Sequence, residues 1–480
     1  MVAAHSGLFV DNAEVDGTGE SITVFDPSFA RPLAALAEAT DADVDRAVRS
    51  TAAAFRAWFT TWSALERGRL CARVARLILE RSAELTDVDV CDGGLPVSLA
   101  RRDVEAAARY FEYYGGLAEH ICGRTVPVSP GVVDYTLREP WGVCAVILPF
   151  NFPLQVTARS LAAALITGNG VVLKPAEQAP FAPLALARLC RDAGAPPGIV
   201  NAVTGRGPTT GQALITHPLV DHITFTGSGA AGARIMAAAA ARITPVTPEL
   251  GGKSPHLVFA DADLERAASV ISATTFRSAG QACSAGTRIF AHRSVHAELS
   301  ARLAAAAEGL SVGPAIDDPD MGPVISAEQR ARILDAVDEA VHADARALAG
   351  PTRASGMGEG YFVAPTVLAA PSNQSIAARD EIFGPVITVM PFETEDEVLE
   401  AANDTKYGLV AGIWTHDVSR ALRLARDIRA GQIFVNNYGV GGGVDMPFGG
   451  FKRSGFGRLK GLEGAYEYTQ VKNVCVDLGR

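Results

Sequence analysis

Apolar residues recur at helical spacing over Asp41–Trp58, where Val44, Ala47, Val48, Ala54 and Phe55 follow acidic first-turn residues, so a helix is expected there. The same spacing predicts helices over Ala64–Thr86 and Val97–His120. Cys122–Glu139 changes character, with Thr, Val, Tyr and Pro in place of Ala and Arg, and reads as an extended ribbon. From Gly142 short apolar runs alternate with helical patterns. Strands are expected at Val143–Leu148, Val171–Leu173, Ile199–Val203 and His222–Thr226, with helices over Leu154–Ile166, Ala182–Ala193 and Thr210–Thr216 between them. Continuous Val/Ile/Leu runs separated by helices are how a parallel sheet buried on both faces looks in sequence. A second alternation begins at Ser254, with strands at Leu257–Phe259, Ile387–Pro391, Ala411–Trp414 and Gln432–Val435 and helices over Leu264–Ala279 and His296–Gly309. The tail Ala465–Val476 is again extended and is expected to pair with the earlier ribbon. The fold class is therefore α/β, with two doubly wound domains.

A chain of 480 residues is too long for one ordinary core, in keeping with two or three domains. With 48% hydrophobic and 20% charged residues it belongs with ordinary globular enzymes. A net charge of −10 argues against nucleic acid or anionic lipid as partner, because both would repel it. Met1–Val10 has no basic stretch followed by an apolar run, and no later segment is long and apolar enough to span a bilayer; the expectation is a cytoplasmic protein. The seven cysteines are an odd number without C-x-x-C pairing, which disfavours a disulfide framework or structural zinc, and no metal site is expected.

Candidate chemistry enters with Gly227-Ser228-Gly229-Ala230-Ala231-Gly232, a G-x-G-x-x-G loop between a strand and a helix. Glycines there let a phosphate approach the backbone, and the helix N-terminus favours its charge; the plain alternative is a tight turn. No acidic residue follows at the usual distance to take the ribose. Lys174-Pro175-Ala176-Glu177 instead ends another strand, where Glu177 can accept ribose hydroxyls of NAD and would repel the extra phosphate of NADP; the alternative is a surface ion pair. Gln281-Ala282-Cys283-Ser284-Ala285-Gly286 sets a thiol among small residues, open to a carbonyl substrate, although a lone cysteine is more often inert. Glu249-Leu250-Gly251-Gly252 offers a general base beside a flexible turn, and Pro149-Phe150-Asn151-Phe152-Pro153 an amide able to donate to an oxyanion; each also has a plain reading as a turn former.

Together and in this order, with Glu381-Ile382-Phe383-Gly384-Pro385-Val386 and Pro447-Phe448-Gly449-Gly450-Phe451-Lys452, these segments resemble the aldehyde dehydrogenase superfamily over nearly the whole chain. The resemblance implies Cys283 as nucleophile, Asn151 as oxyanion donor and Glu249 as the base that hydrolyses a thioester to free acid. For the cofactor it implies contacts from Lys174, Glu177, Gly227, Ser228, Glu381 and Phe383, with NAD expected over NADP. It further implies a cofactor-binding domain over 1–121 and 141–250, a catalytic domain over 251–435, oligomerisation segments at 122–140 and 464–480, and a return segment at 436–463. A small aldehyde is the expected partner, together with further copies of the chain in a homodimer or homotetramer.

Three positions depart from the family pattern: Gly229 where Thr is common, Pro248 where Leu is usual, and Arg159-Ser160 where a Lys often stands near the catalytic water. Phe152, Phe448, Tyr438 and Arg159 are candidates for the substrate entrance, which suggests an apolar or aromatic aldehyde, and the glycine run in Tyr438–Asp445 a flexible part of it. The competing classes are a catalytically silent binding protein of the same fold and a coenzyme A-acylating enzyme. Cys283, Glu249, Asn151 and Glu381 occurring together argue against the first, and Glu249 against the second.

Overall fold

Two seven-stranded sheets form the frame of the molecule, a computed structural model that describes residues 7–350, 358–439 and 443–479. Parts of Met1–Val10 and of the glycine run Tyr438–Asp445 (1–6 and 440–442) thus lie outside the described residues. The first sheet runs in the order Val246–Glu249, His222–Thr226, Val143–Ile147, Gly170–Lys174, Val200–Val203, Leu8–Val10 and Ala13–Val15. Its first five strands are parallel, and the last two add an antiparallel edge. Val143–Ile147 and Gly170–Lys174 are buried along their whole length, which is why they appear as unbroken apolar runs. The chain order reverses between Val143–Ile147 and His222–Thr226, and the crevice at such a switch point is where ligands bind in open α/β sheets.

The second sheet runs Arg346–Ala349, Thr366–Ala369, Val386–Phe392, Arg288–His292, Pro255–Val258, Val410–Trp414 and Gln432–Val435, parallel except for the first strand. Away from both sheets, Val132–Pro140 pairs antiparallel with Thr469–Asp477, so the two extended segments meet as the sequence suggests. The helix expected over Ala64–Thr86 is in fact two, Ala64–Glu80 and Ser82–Cys91, broken at Arg81. At the break Arg81 forms an ion pair with Asp192 at 2.8 Å, and the second helix turns to pack on both Val97–Leu117 and Phe181–Asp192. Leu264–Phe276 stops short of Ala279 because Ser278 and Ala279 adopt left-handed backbone, φ 52° each, ahead of Gly280. The tail begins with a short helix, Gly461–Tyr466, before its strand. Ser21–Asp26 and Arg31–Ala37 form a further hairpin near the start, which the apolar pattern did not announce.

Candidate active site

The carboxyl ends of the first sheet's strands converge on a cleft of about 400 Å³ whose far wall is supplied by the second sheet. Ile147 leads into Pro149-Phe150-Asn151, Lys174 into Ala176-Glu177, Thr226 into Gly227-Ser228, and Glu249 closes its strand; all of these line the cleft, as do Cys283, Glu381 and Phe383. The nine residues singled out in the sequence therefore share one cavity.

Asn151 stands at a sharp strand-to-helix turn. Phe152 takes left-handed backbone, φ 51°, and Pro153 opens the helix Pro153–Ile166, a position that suits its fixed φ and missing N–H. The buried Asn151 amide donates from Nδ2 to the Gln281 carbonyl at 2.8 Å. That bond uses one of its two N–H groups and ties the turn to the cysteine loop. Gln281 is itself held, its Oε1 accepting from the Ile325 amide at 3.0 Å. Burial pushes the Cys283 thiol up to about 12, with Glu249 adding to the rise and Arg159 opposing it. At rest it is a thiol.

Glu249 sits at the end of an inner edge strand, in register with Thr226. Its side chain is buried, and neither carboxylate oxygen has a hydrogen-bond partner. Burial raises its pKa to about 8, against the pull of Arg159, Arg458 and Lys460, and Glu467 adds to the rise. A buried carboxyl without a partner is costly unless it has work to do. Gly251 and Gly252 follow it directly. A Cβ at Gly251 would lie 1.9 Å from Glu381 Oε2, and one at Gly252 2.7 Å from the Cys283 carbonyl. Glu381 Oε1 accepts from the Gly252 amide at 3.0 Å, so the glycine pair joins base, thiol loop and Glu381.

The other end of the cleft is built for a polyhydroxylated, phosphorylated ligand. Ser228 caps the helix Gly229–Ala240, its hydroxyl accepting from the Ala231 amide at 3.3 Å. A side chain at Gly229 or Gly207 would point into open space, which leaves the loop accessible to a phosphate. Lys174 is buried, which lowers its pKa; its Nζ donates to the Pro175 carbonyl at 2.9 Å and lies 3.6 Å from Glu177, itself only partly covered. Phe383, in left-handed backbone (φ 55°), stands edge-on to Phe150 with centroids 5.8 Å apart, and Gln329 holds its carbonyl at 2.7 Å.

The aldehyde dehydrogenase family model matches residues 15–474. A 4-trimethylaminobutyraldehyde dehydrogenase of Pongo abelii is 38% identical over 98% of this chain and 96% of its own. The chain belongs to the aldehyde dehydrogenase family. Solved structures agree: PnpE from Pseudomonas sp. WBC-3, determined in complex with nicotinamide adenine dinucleotide, has a TM-score of 0.97 at 38% identity, covering 99% of this chain and 98% of its own. An aldehyde dehydrogenase from Bacillus cereus, solved as its NAD+ complex, has a TM-score of 0.96 at 37% identity, covering 99% and 97%.

As an aldehyde dehydrogenase the chain is distinctive where it departs from the pattern. Arg159 is buried on the helix that follows Asn151, donates to Thr226 Oγ1 at 3.3 Å and bears electrostatically on both Glu249 and Cys283. Ser160 lies against Tyr468, whose hydroxyl accepts from Thr224 at 3.0 Å. Pro248 occupies an edge position where its missing N–H costs no ladder bond, since the bridge on its open side is made by the next residue, Glu249 with Gly455. Gln281, which holds Asn151, and Gln329 and Arg332, which line the cleft, were not read as site residues from the sequence. Gln281, two positions before the cysteine, could have been noticed; the others lie outside every motif.

Among the described residues no helix is long and apolar enough to cross a membrane.

Proposed function

We propose that the protein oxidises an aldehyde to its carboxylic acid, with NAD as acceptor, through a covalent thioester on Cys283. The observation that carries the reading is the shared cavity: a thiol, a half-satisfied Asn amide and an unpartnered buried carboxyl beside a phosphate-ready helix N-terminus. The Cys283 thiol passes its proton to ionised Glu249 as its sulfur attacks the carbonyl carbon, and the free N–H of Asn151 donates to the oxygen as it becomes an oxyanion. NAD, when bound, supplies the hydride acceptor. Lys174 and Glu177 would hold its adenosine ribose, Gly227 and Ser228 its pyrophosphate, Glu381 its second ribose, and Phe383 would pack on the nicotinamide. Glu249, its first proton released to solvent, then takes a proton from water, whose oxygen adds to the thioester carbon; the C–S bond breaks, the acid leaves and the Cys283 sulfur recovers a proton from Glu249. With Glu249 in place, coenzyme A is not needed as acyl acceptor.

The test is NADH absorbance with a panel of aldehydes. Wild type is expected to turn over at least one aldehyde with NAD, more slowly with NADP, releasing free acid without coenzyme A. Cys283→Ala should form no NADH with any of them. An active Cys283→Ala, or a wild type that binds NAD and oxidises nothing, would sink the reading.

A further inference from the structure

Outside the cofactor cleft, two aromatic rings flank the thiol turn. Phe448 shares an apolar cluster with Leu409, Val410 and Tyr438, and Cys283 packs against it. Phe152, next to Asn151, packs with Ala282, the residue before the thiol. Each ring carries cations on its faces. The Arg159 guanidinium lies 5.7 Å and the Lys460 ammonium 5.1 Å from the Phe448 centroid, and the Arg277 guanidinium lies 4.8 Å from that of Phe152. Among the described residues neither the Arg277 guanidinium nor the Lys460 ammonium makes a hydrogen bond or ion pair, and Arg159 keeps a buried Nε without a partner.

The chain carries a net charge of −10, and several of its other cations, Arg81, Arg188, Arg206 and Arg420 among them, find carboxylates. Two carboxyl groups bear on these cations. Glu249 is buried, which raises it to about 8 and leaves it largely protonated at neutral pH; Asp103, buried beside Arg277 and raised to about 6, is ionised there, and Arg102 offsets part of its charge. Asp445 and Glu463 bear on Tyr113. A guanidinium and an ammonium stacked on apolar rings with their donors free are arranged to receive an anion, and Arg presents a planar fork that matches a carboxylate.

We propose that Arg277 and Lys460 hold a carboxylate at the end of the substrate remote from its carbonyl, so that the natural substrate is the semialdehyde of a carboxylic acid. Phe152 and Phe448 line the path of the chain between the two ends, and Cys283 meets the aldehyde. The inference rests on Cys283 being the nucleophile and narrows the substrate class of that same site.

Three probes with the same four-carbon aldehyde decide it: 4-oxobutanoate, butanal and 4-trimethylammoniobutanal end in an anion, a methyl group and a cation. The expected order of kcat/KM is anion, neutral, cation, expressed in KM, with the anion's advantage shrinking as salt is added. Arg277→Gln and Lys460→Gln should each cut the ratio of kcat/KM for 4-oxobutanoate over butanal by roughly tenfold, and Arg277→Lys should retain part of it. Because the ratio is taken within one variant, a partial loss of folded protein does not distort it. Equal kcat/KM for the three, preference for the cation, or an unchanged ratio in both Gln variants overturns the proposal. Should no probe be oxidised, calorimetric titration of the three into Cys283→Ala saturated with NAD still decides. Tighter binding of the anion upholds the carboxylate site while the failure falls on the oxidation reading, and equal affinities overturn the site itself.

Discussion

Glu249 carries two opposed demands, and both can be measured. A carboxyl whose pKa is raised to about 8 is neutral at pH 6–7 and cannot accept a proton from water. Hydrolysis of the thioester should therefore speed up as pH rises through about 8 and then level off. Glu249→Gln should remove that rise and slow steady-state turnover by roughly 10²–10⁴-fold, while the first-turnover burst of NADH persists. A variant with wild-type steady-state rates would exclude Glu249 as the base. The same shift has a consequence for stability. Between its ordinary value of 4.5 and about 8 the folded protein holds a proton that the unfolded chain has released, so stability falls with rising pH across that window. At pH 8.5 Glu249→Gln should then be more stable than wild type by about 1–3 kcal/mol, for a buried charge without partners, and melt at a higher temperature. It should gain little at pH 5. Of the site, the residues inside motifs were legible in the sequence, because thiol, amide, base and glycine loop each sit in a distinctive local run. Arg277 and Lys460 were not, since nothing local marks them and only tertiary packing sets them on Phe152 and Phe448.

At the scale of elements, glycines beside the cleft decide its geometry. Gly280 has φ +70°, and a Cβ there would lie 2.1 Å from the Gly384 carbonyl oxygen. Gly280→Ala should lower stability by about 1–3 kcal/mol, the cost of a strained backbone position, visible as a lower melting temperature. Gly251→Ala acts differently. Its backbone angle is ordinary, and its Cβ meets only the end of the Glu381 side chain, at 1.9 Å. The carboxylate should swing away, raising the KM for NAD severalfold with little change in melting temperature. An unaltered KM would separate Glu381 from cofactor binding. The alternation of strands and helices was readable because strands such as Gly170–Lys174, buried on both faces, leave unbroken apolar runs. Leu8–Val10 and Ala13–Val15 were not, being three residues each. The left-handed turn at Ser278 and Ala279 was equally invisible, since neither residue favours such backbone and the surrounding structure imposes it.

At the scale of the whole molecule, one ribbon stands apart from both large sheets. Val132–Pro140 and Thr469–Asp477 pair over nine residues but form a sheet of only two strands, an arrangement that is marginal in water without further support. Val133 and Val476 face each other across it at 45% and 42% exposure, and Val471 on the other face is 60% exposed. The outer edge of Thr469–Asp477 lacks a strand partner among the described residues, and that of Val132–Pro140 is met only at its middle, where Thr125 bridges to Tyr135 and Arg124 and Val126 share backbone hydrogen bonds with Thr136 and Asp134. Apolar side chains on an open ribbon are a liability for a lone subunit and an asset for one that buries them against another. The family resemblance and this geometry support the same reading: the ribbon docks on a second copy of the chain. Light scattering after size exclusion should then give a dimer or tetramer for wild type. Val133→Asp combined with Val471→Asp, which places one charge on each strand and on each face, should shift it toward monomer at micromolar concentration while the far-ultraviolet circular dichroism stays that of the folded chain. A monomeric wild type would refute the docking. An oligomer insensitive to both substitutions would move the interface elsewhere on the surface. Because the tail strand follows directly on the helix Gly461–Tyr466, and Lys460 immediately precedes that helix, loss of docking is also expected to raise the KM for the aldehyde.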